Sequence, residues 1–108
     1  MARYLLDTDI CSYIMKRSHP ALLERIRGVP IADQALSAVT AAELLYGVKL
    51  SSKQKQAREA FHAFVRHLEV MEWPAEAAEH YADIRADLKR RGEMIGANDL
   101  LIAAHARS

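Results

Sequence analysis

The chain has 108 residues, of which 51% are hydrophobic and 27% charged, which fits one globular domain with a modest core. With 15 Lys+Arg against 14 Asp+Glu the net charge is +1, so any nucleic-acid or membrane site must be local and not an overall field. A single cysteine, Cys11, excludes a disulfide framework and a cysteine-rich zinc site within the chain.

The expected compartment is the reducing cytoplasm. Asp7 and Asp9 interrupt the first apolar run too early for a signal peptide. No stretch approaches the ~20 apolar residues of a membrane span, and no membrane partner is expected.

Strand-like runs alternate with helical periods, the pattern of a parallel sheet with crossover helices. Residues 3–6 read as a short apolar strand ended by Asp7-Thr8-Asp9. A helix is expected over about Ile10 to Met15, capped by Asp7 or Asp9. Pro20 to Arg27 reads as a second helix, with Pro20 at its first position and Gly28 at its stop. Ala35 to Val39 reads as the second strand. From Thr40 the period becomes helical, with Ala41, Leu44, Leu45 and Val48 on one face. Ser51 or Ser52 is the expected cap of the next helix, in which Ala57, Phe61, Phe64 and Leu68 recur. Glu69 to Trp73 reads as the third strand. A long helix follows, with Ala77, Tyr81, Ile84 and Leu88 on one face and Lys89-Arg90-Arg91-Gly92 at its end. The last helix begins after Gly96, with Asn98 the expected cap, and is apolar nearly all round from Leu100 to Ala104.

Three carboxylates hold unusual places. Asp7 follows the first strand, Glu43 opens the helix after the second, and Asp99 opens the last, apolar helix. The carboxyl ends of parallel strands form the ligand crevice of such sheets, and these acids can gather there. Each also has a plain structural reading. Acids suit helix N-termini, and Thr40-Ala-Ala-Glu43 has the spacing of a capping box. Gathered carboxylates repel one another unless a cation neutralises them, and oxygen ligands without Cys or His suit Mg²⁺ or Mn²⁺.

Tyr4-Leu5-Leu6-Asp7-Thr8-Asp9-Ile10 resembles the opening motif of PIN-domain ribonucleases. Residues 37–44, followed by Tyr46-Gly47, resemble their second motif, and residues 95–106 their third, in the same order. The nearest branch is the VapC-type toxin of bacterial toxin–antitoxin pairs. The resemblance implies an α/β/α sandwich with a central parallel sheet, and a Mg²⁺- or Mn²⁺-dependent endoribonuclease. It implies Asp7 and Asp99 as principal metal ligands, Glu43 as third acid, and Thr8, Asp9, Thr40 and Asn98 as supporting residues. It also implies an RNA substrate, a cognate antitoxin and a homodimer. The family continues past the third motif into further strands. The chain therefore reads as a single PIN domain over residues 1–108, incomplete at its carboxyl end, with its first strand left as a sheet edge.

Two other functional classes fit parts of the pattern. A chain without those strands can serve as a dimerisation or antitoxin-binding module without turnover. Asp7-Thr8-Asp9 also resembles the start of haloacid-dehalogenase-type phosphotransferases, in which Asp7 would be the nucleophile.

The remaining features read as structure. Lys49, Lys53, Lys55, Arg58 and Arg66 form a solvated basic face or a track for RNA phosphates. Arg85 is expected to pair with Asp83 or Asp87, and Cys11 to be a small buried side chain.

Overall fold

A computed structural model describes residues 4–93 and 95–108. Three strands, β1 (Tyr4–Leu6), β2 (Gln34–Ser37) and β3 (Glu69–Met71), form a parallel sheet in the order β1-β2-β3. Leu5 lies opposite Ala35, and Leu36 opposite Val70. β2 is central, and all four of its residues are buried, as a parallel strand covered on both faces should be. Among the described residues β1 pairs with β2 alone, which puts it at the sheet's end. Arg3, read as part of this strand, lies outside the described residues.

Six helices connect and flank the strands: α1 (Thr8–Lys16), α2 (Pro20–Arg27), α3 (Ala38–Leu50), α4 (Gln54–Val65), α5 (Ala77–Arg90) and α6 (Ala97–Arg107). The α/β class and the parallel sheet are as expected. Several boundaries shift, each for a local reason. α1 starts two residues early because Asp7 is its cap, the carboxylate Oδ1 accepting from the Ile10 backbone N–H at 2.8 Å. α3 starts at Ala38, and Ser37 is its cap, Oγ accepting from the Val39 N–H at 3.2 Å. Thr40 and Glu43 are therefore not a capping box. α6 is capped by Gly96, in extended backbone, so Asn98 lies inside the first turn and caps nothing. α4 starts after Lys53, while Ser51 closes the preceding turn by accepting from the Lys53 N–H at 3.1 Å. α2 carries Pro20 at its start and Gly28 at its end, as read.

One core cluster joins Leu6, Cys11 and Leu36, with Ile10, Ile14, Leu44 and Phe64 packed against it. A second joins Ala41, Val48 and Phe61, where α3 meets α4. Cys11 has no solvent exposure, and burial, helped by the Asp7 charge, pushes its thiol up to about 12. Arg85 does not pair with Asp83 or Asp87. Its guanidinium donates to the Tyr81 hydroxyl at 3.0 Å and lies over the Tyr81 ring, while Asp83 pairs with Arg107 and Asp87 with Arg91.

Candidate active site

In a parallel sheet every strand ends on the same edge. Here that edge receives Asp7 directly after β1, the start of α3 directly after β2, and Trp73 two residues after β3. The N-termini of α1 and α3 consequently open at one edge, where their partial positive charge and unpaired N–H groups favour anions.

Glu43 is half-buried on the first turns of α3 and accepts a hydrogen bond from Thr8 Oγ1 at 2.8 Å. This bond spans 35 positions of sequence and ties the start of α1 to α3. Thr8 in turn follows Asp7, whose carboxylate is exposed and uses one oxygen for the α1 cap. Asp7, Thr8 and Glu43 thus form one connected unit. Thr40 is fully buried on α3, and its hydroxyl has no hydrogen-bond partner.

Asp99 lies on α6, whose first half is held beside the end of β3. It is exposed in the first turn of α6, and its Oδ2 lies 3.6 Å from where a Cβ on Gly96 would sit. The Trp73 indole N–H donates to the Leu101 carbonyl at 2.8 Å, holding the N-terminal half of α6 beside the segment that leaves β3. Asn98 and Asp9 are exposed, and neither makes a side-chain hydrogen bond among the described residues.

Hard oxygen donors dominate the candidate site. Asp7, Glu43 and Asp99 have no ion-pair partner among the described residues, although Arg and Lys are plentiful. Thr8 takes one Glu43 oxygen and Ile10 one Asp7 oxygen, so each carboxylate keeps a second oxygen. Among the described residues no three His, Cys, Asp or Glu side chains converge on a single ion position. The carboxylates of Asp7, Glu43 and Asp99 are hard oxygen donors, the kind that Mg²⁺ takes alongside water and substrate phosphate. The residues present fit such an ion by chemistry.

A cleft of about 1030 Å³ lies elsewhere, lined by residues of all three strands and the end of α6, Tyr4, Leu6, Gln34, Met71 and His105 among them. None of the three carboxylates lines it. His105 is 6% exposed, neither of its ring nitrogens has a partner among the described residues, and burial holds its pKa below the usual value. Sequence spacing places His105 on another side of α6 from Asp99 and carries no signal for this burial. It carries none for the Trp73 bond either. No helix among the described residues is long and apolar enough to cross a membrane.

Comparison with known proteins covers nearly the whole chain. The PIN domain pattern matches residues 4–108. The chain is 35% identical over 108 residues to "Ribonuclease VapC2" of Haemophilus influenzae, spanning 100% of this chain and 81% of that protein. It is equally identical, with the same coverage, to "tRNA(fMet)-specific endonuclease VapC" of Shigella flexneri. Among solved structures, DNA-bound VapBC from Salmonella typhimurium superposes with a TM-score of 0.88 at 32% identity, covering 98% of this chain and 80% of that one. VapBC2 from Rickettsia felis, bound to a promoter DNA fragment, gives 0.86 at 33% identity, covering 95% and 78%.

Proposed function

Because this chain belongs to the PIN domain family, we propose that it is an endoribonuclease toxin that cleaves RNA phosphodiester bonds with Mg²⁺ or Mn²⁺. The observation that carries this reading is the carboxyl edge of the sheet. There Thr8, next to Asp7, bonds Glu43, and the Trp73 bond to Leu101 brings the first half of α6, which carries Asp99, beside the end of β3. The names of relatives that match over all 108 residues of this chain and 81% of their own length supply the substrate class.

Asp7 and Asp99 are the proposed principal ligands, with Glu43 as the third acid. When bound, the metal polarises the phosphoryl oxygen and makes water a better nucleophile at neutral pH. The chain's own residues do the positioning. Thr8 holds one Glu43 oxygen at 2.8 Å, which fixes the carboxylate and leaves its other oxygen for water or substrate. The starts of α1 and α3 offer N–H groups to a phosphate approaching the edge. Thr40, Asp9 and Asn98 are the proposed supporting residues, Thr40 buried in α3 and Asp9 and Asn98 exposed at the helix starts.

The reading includes a cognate antitoxin, in keeping with the VapBC structures that the chain resembles, and a cytoplasmic site of action. It also includes a homodimer. Tyr46 and Leu50 lie one helical turn apart on α3, 66% and 67% exposed, and suit an apolar contact between copies. The phosphotransferase reading has no further support, since Asp9 is held in the first turn of α1 and the PIN pattern accounts for residues 4–108. The binding-only module is separated by assay.

The deciding experiment incubates the purified chain with RNA, initiator tRNA included, in Mg²⁺, Mn²⁺ or EDTA. Cleavage that needs the metal and is lost in Asp7→Asn and Asp99→Asn is the expected result. Cleavage indifferent to EDTA overturns the metal, and binding of an antitoxin without cleavage supports the module.

A further inference from the structure

We propose that Trp73 is a positioning residue for Asp99, acting through the backbone of α6; this rests on the functional reading above. Trp73 is the chain's one tryptophan and is half-buried. It sits between the last residue of β3 and the start of α5, and Pro74 fixes the backbone there by accepting from the Ala77 N–H at 3.0 Å. Its anchor is therefore the sheet edge itself, not a mobile side of the molecule.

The indole N–H reaches the Leu101 carbonyl at 2.8 Å, across 28 positions. That carbonyl lies inside α6, where the helix's own i+4 bond already uses it, so the indole takes its second lone pair. Leu101 is two residues beyond Asp99, about 3 Å along the helix axis. The bond thus fixes the axial position of α6 beside the turn that bears the acid.

Little else does so by directional contact. The α6 cap is Gly96, without a side-chain bond. The other polar tie from α6 to a distant element among the described residues is Arg107 to Asp83, 3.5 Å apart. It lies at the far end of the helix and is half exposed, so it is weak and screened. Apolar packing against α5 resists separation but tolerates sliding, whereas an N–H···O bond sets a register. A displacement of ~1 Å at a reacting group can cost about a hundredfold in rate.

The test removes the indole N–H. Trp73→Phe is one variant. Because the chain has a single tryptophan, uniform replacement by benzothienylalanine, which carries sulfur in place of the N–H, is a second that preserves the bicyclic packing. Mn²⁺ affinity is read by electron paramagnetic resonance without RNA, and cleavage separately as kcat and KM. The expected result is roughly tenfold weaker Mn²⁺ binding and a roughly tenfold lower kcat with KM nearly unchanged. In an Asp99→Asn background the same replacements should change Mn²⁺ affinity by less than about twofold, since the group they position is gone.

Wild-type Mn²⁺ affinity and kcat in both variants overturn the positioning role alone. So does an equal loss in the Asp99→Asn background, which marks a general structural effect. An unmodified chain that neither binds Mn²⁺ nor cleaves RNA overturns the functional reading and the positioning role together.

Discussion

Thr8 donates its hydroxyl to Glu43 at 2.8 Å, joining the first turn of α1 to the first turns of α3. It ties two separate helix starts together and orients the Glu43 carboxylate through one of its two oxygens.

Thr8→Val keeps the side chain's shape and removes the donor. We expect a stability loss of about 1 kcal/mol, as for one hydrogen bond, and a roughly tenfold or greater fall in RNA cleavage because Glu43 loses its orientation. Urea denaturation and initial-rate cleavage assays check the two numbers. Unchanged cleavage with reduced stability would mean that the bond serves the fold alone.

Asp7 has two roles that substitution separates. Asn caps a helix as well as Asp, so Asp7→Asn should preserve the bond to the Ile10 N–H and leave stability nearly intact while abolishing cleavage. Asp7→Ala should abolish cleavage and cost about 1 kcal/mol besides. Asp99→Asn should resemble Asp7→Asn in both assays. EDTA should silence the unmodified chain reversibly, and Mn²⁺ should restore it.

Ser37 and Thr40 should differ in the opposite sense from the sequence pattern. Ser37 carries the α3 cap, so Ser37→Ala should lower stability by about 1 kcal/mol. Thr40 has a buried hydroxyl with no partner, so Thr40→Val should be neutral or slightly stabilising. Paired thermal melts of the two variants decide the matter.

His105 should make stability depend on pH. Its folded-state pKa is lowered from 6.5 by burial, so the unfolded chain binds the proton more readily. The stability from the neutral ring is complete above pH 6.5 and is lost as pH falls below it, until the folded form also protonates. His105→Leu should remove that part of the slope. Denaturation of both chains at a series of pH values between about 5 and 8 reads the difference.

The helix boundaries show what sequence patterns can carry. Pro20 and Gly28 mark α2 correctly because each acts within its own turn, through a fixed φ or a missing side chain. Asp7 is legible as a cap for the same reason. Thr40-Ala-Ala-Glu43 misleads because spacing cannot reveal that Thr8, distant in sequence, claims Glu43, or that Ser37 caps first. The order of the motifs points to Asp7, Glu43 and Asp99, but nothing in periodicity points to Trp73. An indole finds its acceptor only once the end of β3 and α6 are side by side. His105 is hidden likewise, since a polar residue on an apolar helix gives no sign of which side the sheet will cover.

Cys11 stands one turn beyond Asp7, with no exposed surface and a thiol pushed up to about 12. The thiolate is the species that attacks a thiol reagent, so a closed molecule with a buried, protonated Cys11 is inert. Labelling therefore counts openings of the α1 base: its rate measures how often the ground under Asp7 gives way, with no probe added to the chain.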